Sequence, residues 1–143
     1  MKSKIIFLGT AGDSIVAGKQ LRSSGGIIVQ SGHNQFHIDP GPSSLSQAKQ
    51  YNIDIRETTG ILISHGHILH CNDVNALINS MTFGGMDKRS VLVGNRTVLE
   101  GTENIRPYVT DFHRNCVERN ILLEPDKKVG INDAEIQGVK TKH

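Results

Sequence analysis

The stretch that decides the fold covers residues 60–73 and reads GILISHGHILHCND. Residues 61–63 are a run of branched apolar side chains, which is typical of a strand buried within a sheet. The run ends in a polar segment that carries three histidines within six residues, His65, His67 and His70. The sequence therefore predicts a buried strand that opens into a histidine-rich loop.

The spacing of these histidines suggests that they can converge. Alternate side chains of an extended segment point to the same side, so His65 and His67 are expected to lie together. His70 joins them if the chain becomes helical at that point. A helix capped by Asn72 or Asp73 is predicted next, because apolar residues follow at helical spacing, at Val74, Leu77, Ile78 and Met81.

Three closely spaced histidines after a buried strand favour a metal site. Neutral imidazole is the commonest metal ligand in proteins, and a catalytic zinc has three protein ligands and one position for water. The pattern therefore predicts zinc-dependent hydrolytic chemistry. The alternative is that one or two of these histidines only satisfy backbone groups in the loop.

Residues 64–70 resemble the H-x-H-x-D-H signature of the metallo-β-lactamase superfamily of metal-dependent hydrolases. Three further segments resemble that family in the same order: an opening strand and glycine turn at 5–10, a strand end at 37–41, and a strand leading to a histidine at 139–143. The resemblance implies an α/β fold, the αββα sandwich, of which this chain forms mostly the first ββα half. It implies a single, truncated domain over residues 1–143.

The resemblance also implies a set of metal ligands. His65, His67 and His143 would hold the first metal ion, and His70 would lie at the second site. Leu69 stands where the family has the aspartate that binds the second metal, and leucine cannot ligate a metal. One zinc ion is therefore expected, and a second site is not.

Two carboxylates, Asp39 and Asp73, are candidates for supporting the reaction. In the resembling family the aspartate at the position of Asp39 bonds near the metal ligands, and an imidazole that binds metal through one nitrogen needs an acceptor for the other. An equal alternative for Asp39 is an Asx-type turn that closes the strand. Asp73 is the carboxylate nearest to His70 in sequence, so it could replace the acid missing at Leu69.

The composition is that of one globular domain with no polyanion partner. The chain has 143 residues, 36% of them hydrophobic, and a formal net charge of +2. Aromatic residues make up 4%, without any tryptophan, so the sequence has no stacking platform for nucleic acid. Nucleic acid is therefore an unlikely partner.

Cysteine usage and hydropathy predict a cytoplasmic protein. Cys71 and Cys116 lack the C-x-x-C spacing of a zinc ribbon and are too few for a disulfide framework, so they are expected to be free thiols in a reducing compartment. The apolar run near the N-terminus is too short for a signal peptide, and no stretch approaches the length of a membrane span.

The other apolar segments predict a sheet covered by helices. Strands are expected at 4–8, 26–30, 35–39, 91–93, 121–123, 127–131 and 135–139, and a helix at 44–51. Residues 12–19 imitate a phosphate loop, but their spacing is wrong and Gln20 replaces the required Ser or Thr, so a flexible loop beside the active face is expected. His37 is expected to face solvent.

His113 and Cys116 lie three residues apart and would share one face of a helix within 108–120. Two such ligands do not complete a metal site, so Cys116 is predicted to be a small buried apolar residue.

These observations predict a metal-dependent hydrolase whose metal-activated water attacks an ester, an amide or a phosphodiester. The alternative is a degenerate or truncated family member that binds metal or a partner without catalysis. A half-domain would leave an apolar sheet face without its cover, so either a homodimer or a poorly soluble fragment is also expected.

Overall fold

The structure is a computed structural model that describes residues 2–142. Within that range the main sheet has six strands, and their order in the sheet follows the chain: β1 (Lys4–Phe7), β2 (Ile27–Ser31), β3 (Asn34–Ile38), β4 (Gly60–Ile63), β5 (Val91–Gly94) and β6 (Arg119–Leu122). Two further strands, β7 (Lys128–Ile131) and β8 (Ala134–Gln137), form a separate hairpin. All the predicted strands are present, with bounds shifted by a residue or two.

The sheet changes from antiparallel to parallel at β3. Strands β1, β2 and β3 pair in antiparallel fashion, and β2 and β3 form the predicted hairpin. Strands β3, β4, β5 and β6 run parallel to one another, with Ile38 opposite Leu62. The carboxyl ends of these four strands therefore meet at one edge of the sheet, which is where open α/β sheets bind their ligands.

Helices cover one face of the sheet. They are α1 (Ser14–Gly18), α2 (Ser44–Gln50), α3 (Ile68–Cys71), α4 (Val74–Met81), α5 (Arg96–Leu99) and α6 (Asp111–Arg114), with a 3-10 turn at Ile55–Glu57. The predicted apolar positions of α4 are all fully buried against the sheet, at Val74, Leu77, Ile78 and Met81. Burial of each such side chain stabilises the fold by about 1.5 to 3 kcal/mol, so α4 anchors the segment that carries the histidines.

The β7–β8 hairpin covers part of the opposite face. Ile131 of the hairpin packs with Phe36, Val91 and Val93 in a second, smaller core. This cover does not extend to the β1 edge, where Ile5 is 63% exposed and Phe7 is 56% exposed. The predicted helical cover is confirmed on one face, whereas the other face, which was expected to lack its cover, is partly covered by the β7–β8 hairpin over Val91 and Val93.

Three expectations were wrong. His37 is fully buried rather than exposed to solvent, because its side chain lies on the helix-covered face and bonds to Gly25 O at 2.8 Å. The segment expected to be a flexible loop contains helix α1, whose start is capped by the Asp13 carboxylate. Helix α6 ends at Arg114, so His113 and Cys116 do not share a helical face, although Cys116 is buried as predicted.

No helix within residues 2–142 has the length and apolar character that a membrane crossing requires.

Candidate metal centre

Two neighbouring strand ends bring the candidate residues together. Strands β3 and β4 run parallel, and Asp39 and Ser64 are the residues that directly follow them. The Asp39 N–H donates to Leu62 O at 2.8 Å, which continues the pairing one residue past β3. Asp39 then adopts a φ of +51°, a conformation that aspartate tolerates better than most residues. Its side chain is thereby turned towards the end of β4.

The Asp39 carboxylate forms the centre of the site. Its Oδ1 accepts a hydrogen bond from the Ser64 N–H at 2.7 Å, and its Oδ2 accepts one from the Ser64 hydroxyl at 2.6 Å. The same Oδ2 lies 3.2 Å from His70 Nδ1. Asp39 therefore connects Ser64, just after β4, to His70 in α3. These two contacts span 25 and 31 positions of sequence.

This network determines which nitrogen of His65 carries the proton. A carboxylate only accepts hydrogen bonds, so the Ser64 hydroxyl must donate to Asp39. The Ser64 oxygen is then the acceptor for His65 Nδ1, which lies 2.8 Å away. The neutral form of His65 that fits these contacts carries its proton on Nδ1 and has its unprotonated Nε2 facing His67 Nδ1 at 3.1 Å. An unprotonated imidazole nitrogen is the form that binds a metal.

The same carboxylate orients His70. Its Nδ1 faces Asp39 Oδ2, so the neutral tautomer that fits this contact carries its proton on Nδ1 and has Nε2 as the ligand atom. The rings of His65 and His70 have centroids 4.4 Å apart. One ligand atom from each of Asp39, His65 and His70 fits within a group whose members are no more than 4.8 Å from one another.

His67 extends the cluster from the other side of His65. Its Nδ1 lies 3.1 Å from His65 Nε2, with ring centroids 4.7 Å apart. Two nitrogens bound to one tetrahedral zinc, each at about 2.1 Å, are about 3.4 Å apart. The pair is therefore spaced either for a hydrogen bond or for two ligands on one ion, and the donor set fits zinc.

Asp73 lies elsewhere. Its carboxylate accepts hydrogen bonds from the Ser44 N–H at 3.0 Å and from the Asn72 amide at 2.8 Å. Ser44 is the first residue of α2, so Asp73 places a negative charge at that helix N-terminus, which is electrostatically favourable. The grouping of Asp39, His65 and His70 does not include Asp73.

His143 lies outside the described residues, so its predicted convergence with His65 and His67 stays a prediction. The residues that precede it, Val139, Lys140 and Thr141, line a groove of about 560 Å³ that also contains Ser64 and His65.

Cys71 lies beneath the histidine loop as an inert thiol. It is fully buried and its thiol donates to His67 O at 3.3 Å. Burial, with a smaller contribution from the charge of Asp39, raises the pKa of Cys71 to about 11. The thiol therefore stays protonated near neutral pH. A cysteine that binds a metal would have to be a thiolate, so Cys71 does not act as a ligand in this state.

Sequence reasoning missed the contribution of Ser64. Its hydroxyl connects Asp39 to His65, yet a serine ahead of a histidine motif has no distinctive pattern of its own. The signal that could have found it is the predicted parallel pairing of two strands that end in Asp39 and Ser64.

The architecture defines the chain as a protein of the metallo-β-lactamase fold. The crystal structure of the metallo-β-lactamase fold protein YhfI from Bacillus subtilis matches 100% of this chain with a TM-score of 0.71 and 20% sequence identity. A diphosphatase from the PhnP family matches 94% with a TM-score of 0.62 and 23% identity. The predicted half-sandwich is therefore confirmed, because the chain covers 55% of each of these structures.

Among curated proteins, the chain is 29% identical over 143 residues to the uncharacterized protein MJ1374 of Methanocaldococcus jannaschii. It covers 54% of that protein, so it spans about half the length of the curated relative it matches. No protein-family model matches the chain.

Proposed function

We propose that the protein is a metal-dependent hydrolase that uses a single zinc ion. The observation that carries this proposal is the Asp39 network, which orients the imidazoles of His65 and His70 through their Nδ1 atoms. Imidazoles that are oriented through one nitrogen by a carboxylate or a hydroxyl are a feature of metal sites. The diphosphatase of similar fold supports a hydrolytic reaction.

The ion would be held by His65 and His67, with His143 as the third ligand. When bound, zinc supplies Lewis acidity and lowers the pKa of a water molecule to about 7. Asp39 holds the imidazoles of His65 and His70 in their ligand tautomers. Next to His70 in sequence, Leu69 offers no ligand atom, so Asp39 is the carboxylate that contacts His70 among the described residues, which supports one ion rather than two.

The proposal also covers the substrate, the role of Asp73 and the cellular compartment. The substrate is a small ester, amide or phosphodiester that reaches the histidines from the edge of the sheet. Asp73 acts indirectly, by positioning the loop that follows Asp39, since its N–H donates to Pro40 O at 2.9 Å. The free, buried thiols Cys71 and Cys116 suit a reducing compartment such as the cytoplasm.

Elemental analysis of protein purified without added metal tests the proposal most directly. We expect close to one zinc per chain, with His65→Ala and His67→Ala each losing most of it. Hydrolysis of chromogenic phosphodiesters and carboxylic esters is then measured on the zinc-loaded protein. His33→Ala is the matched control, because His33 is an exposed residue of the β2–β3 turn.

Protein that contains no metal, and does not take up zinc at micromolar concentration, would overturn the proposal. Zinc binding that depends on His65 and His67, without hydrolysis of any substrate class, would instead identify a metal-binding module without catalysis.

A further inference from the structure

A second pocket, of about 290 Å³, opens directly beside the candidate metal centre. Asp39 and His70 line it, as do the apolar side chains of Phe7, Ala11, Ile27 and Leu69. We refer to it as the Leu69 pocket. It shares no lining residue with the groove that contains Ser64 and His65, so the two cavities border the histidine cluster at different residues.

The opposite wall of the Leu69 pocket is backbone held in a fixed position. The Ala11 N–H donates to Ser23 O at 2.9 Å, and the buried Ser24 hydroxyl donates to Ala11 O at 2.9 Å. Gly26 has a φ of +88°, and a Cβ added there would collide with Ile38 O. Only glycine permits this close approach, so the loop is packed into place and the pocket has a preformed shape.

Leu69 decides the chemical character of the pocket. Its backbone is fixed by Gly41, where a Cβ would collide with Leu69 O. At this position the metallo-β-lactamase signature has a carboxylate directed at a metal, whereas Leu69 contributes an alkyl wall next to Asp39 and His70. The lining residues, all within 2–142, include no lysine or arginine. Apart from the His70 imidazole, which already contacts Asp39, a negatively charged group would therefore have no cationic partner among these lining residues, and it would meet the charge of Asp39.

We propose that the Leu69 pocket binds a short alkyl substituent of the substrate, next to the bond that is broken. The preferred substrate is thus a short-chain carboxylic ester or amide. This inference rests on the proposed hydrolytic function for its location beside the reacting bond. The binding of an alkyl group rests only on the pocket and its lining.

The alkyl preference can be measured without any reaction. The protein as purified is titrated with ethanol, 1-propanol, 1-butanol and 1-pentanol and followed by amide chemical shifts. We expect the affinity to rise roughly fourfold for each methylene until the pocket is filled. The shifted amides should include Gly12, Gly26 and Leu69. Leu69→Asn should abolish the dependence on chain length, and Leu69→Met should keep it.

Ile105→Asn is the matched control, because Ile105 is an exposed apolar residue that does not line the pocket. It should behave as wild type. An affinity that does not rise with chain length, shifts confined to other regions, or wild-type behaviour of Leu69→Asn would each overturn the inference.

A second measurement separates this inference from the proposed function. The kcat/KM of the zinc-loaded protein is compared for p-nitrophenyl acetate, propionate, butyrate and valerate. A rise with chain length that Leu69→Asn removes supports both ideas. If the protein binds the alcohols as expected but hydrolyses none of the esters, the proposed function is wrong and the alkyl-binding pocket is still supported. Hydrolysis that ignores chain length and Leu69 rejects the pocket as a substrate site.

Discussion

The Ser64 hydroxyl donates to Asp39 Oδ2 at 2.6 Å and accepts from His65 Nδ1 at 2.8 Å, so a side chain just after β3 and a side chain just after β4 together orient an imidazole. The serine has one proton to give, and it goes to the carboxylate. In the neutral imidazole this places the proton of His65 on Nδ1 and leaves Nε2, which faces His67, as the nitrogen that could bind a metal ion.

This arrangement predicts that Asp39→Asn weakens metal binding. An amide can donate to Ser64 and His70, which would disturb the tautomers that the carboxylate imposes. Loss of such an orienting partner lowers metal affinity by about 10- to 100-fold. Competition for zinc with a chromophoric chelator measures the effect. Asp126→Asn, at an exposed turn with a φ of +64°, is the control and should bind zinc like wild type. Equal affinities for wild type and Asp39→Asn would show that Asp39 does not prepare the ligands.

Leu69→Asp is expected to raise the stoichiometry or the affinity of zinc. The new carboxylate would lie next to His70, which would then have a second oxygen-donor neighbour in addition to Asp39. Calorimetric titration and elemental analysis give the number of ions per chain, and Leu69→Asn controls for the loss of the alkyl side chain. Stoichiometry and affinity that do not change would show that this residue alone does not set the number of metal ions.

His37 predicts how stability depends on pH. Burial lowers the pKa of His37 from 6.5, against smaller opposing effects from its bond to Gly25 and the charges of Asp73 and Asp39. Its buried Nδ1 has no hydrogen-bond partner among the described residues, so protonation there would be unfavourable. The unfolded chain then takes up a proton first as the pH falls. The contribution of His37 to the free energy of unfolding is therefore complete above the pKa that this histidine has in the unfolded chain. It is lost as the pH drops below that value, by up to about 1.4 kcal/mol per pH unit.

Urea unfolding of wild type and His37→Gln between about pH 5 and pH 8 measures this dependence. The variant should be less stable at neutral pH but should lose less stability on acidification. His33→Gln, in an exposed turn, controls for histidine removal in general. Parallel pH profiles of wild type and His37→Gln would exclude His37 as the source of the slope.

The apolar side chains that β1 exposes on the sheet face predict self-association. Ile5 and Phe7 are both more than half exposed, and Ile5 pairs with Val29, so their side chains continue the apolar face that the β7–β8 hairpin covers elsewhere. We expect a homodimer at micromolar concentration that Ile5→Lys dissociates, because a lysine on this face would lose its hydration in the interface. Light scattering measures the mass, and Ile15→Lys, at an exposed site on α1, is the control. A wild-type monomer would show that the chain needs no second copy.

The sheet, and the edge of it that carries the candidate site, could be predicted from the sequence because local patterns specify them. The apolar run at 61–63 and the helical spacing from Val74 to Met81 each define an element and its buried side. His37 could not be placed in this way. Every residue of β3 from Asn34 to His37 is buried, since helices cover one face of the strand and a hairpin covers the other, so alternation carries no signal there. The Asp39 to Ser64 contact spans 25 positions and depends on strand pairing.

The strands of the main sheet lie side by side in the order in which they are synthesised, within residues 2–142. A chain that emerges from the ribosome can therefore add each strand to the exposed edge of the one before it, without waiting for a later segment to insert between them. In that order of assembly the ends of β3 and β4, next to Asp39 and Ser64, would pair before β5 and β6 are added. The topology therefore permits the contact between the histidine loop and its carboxylate to form before the sheet is complete.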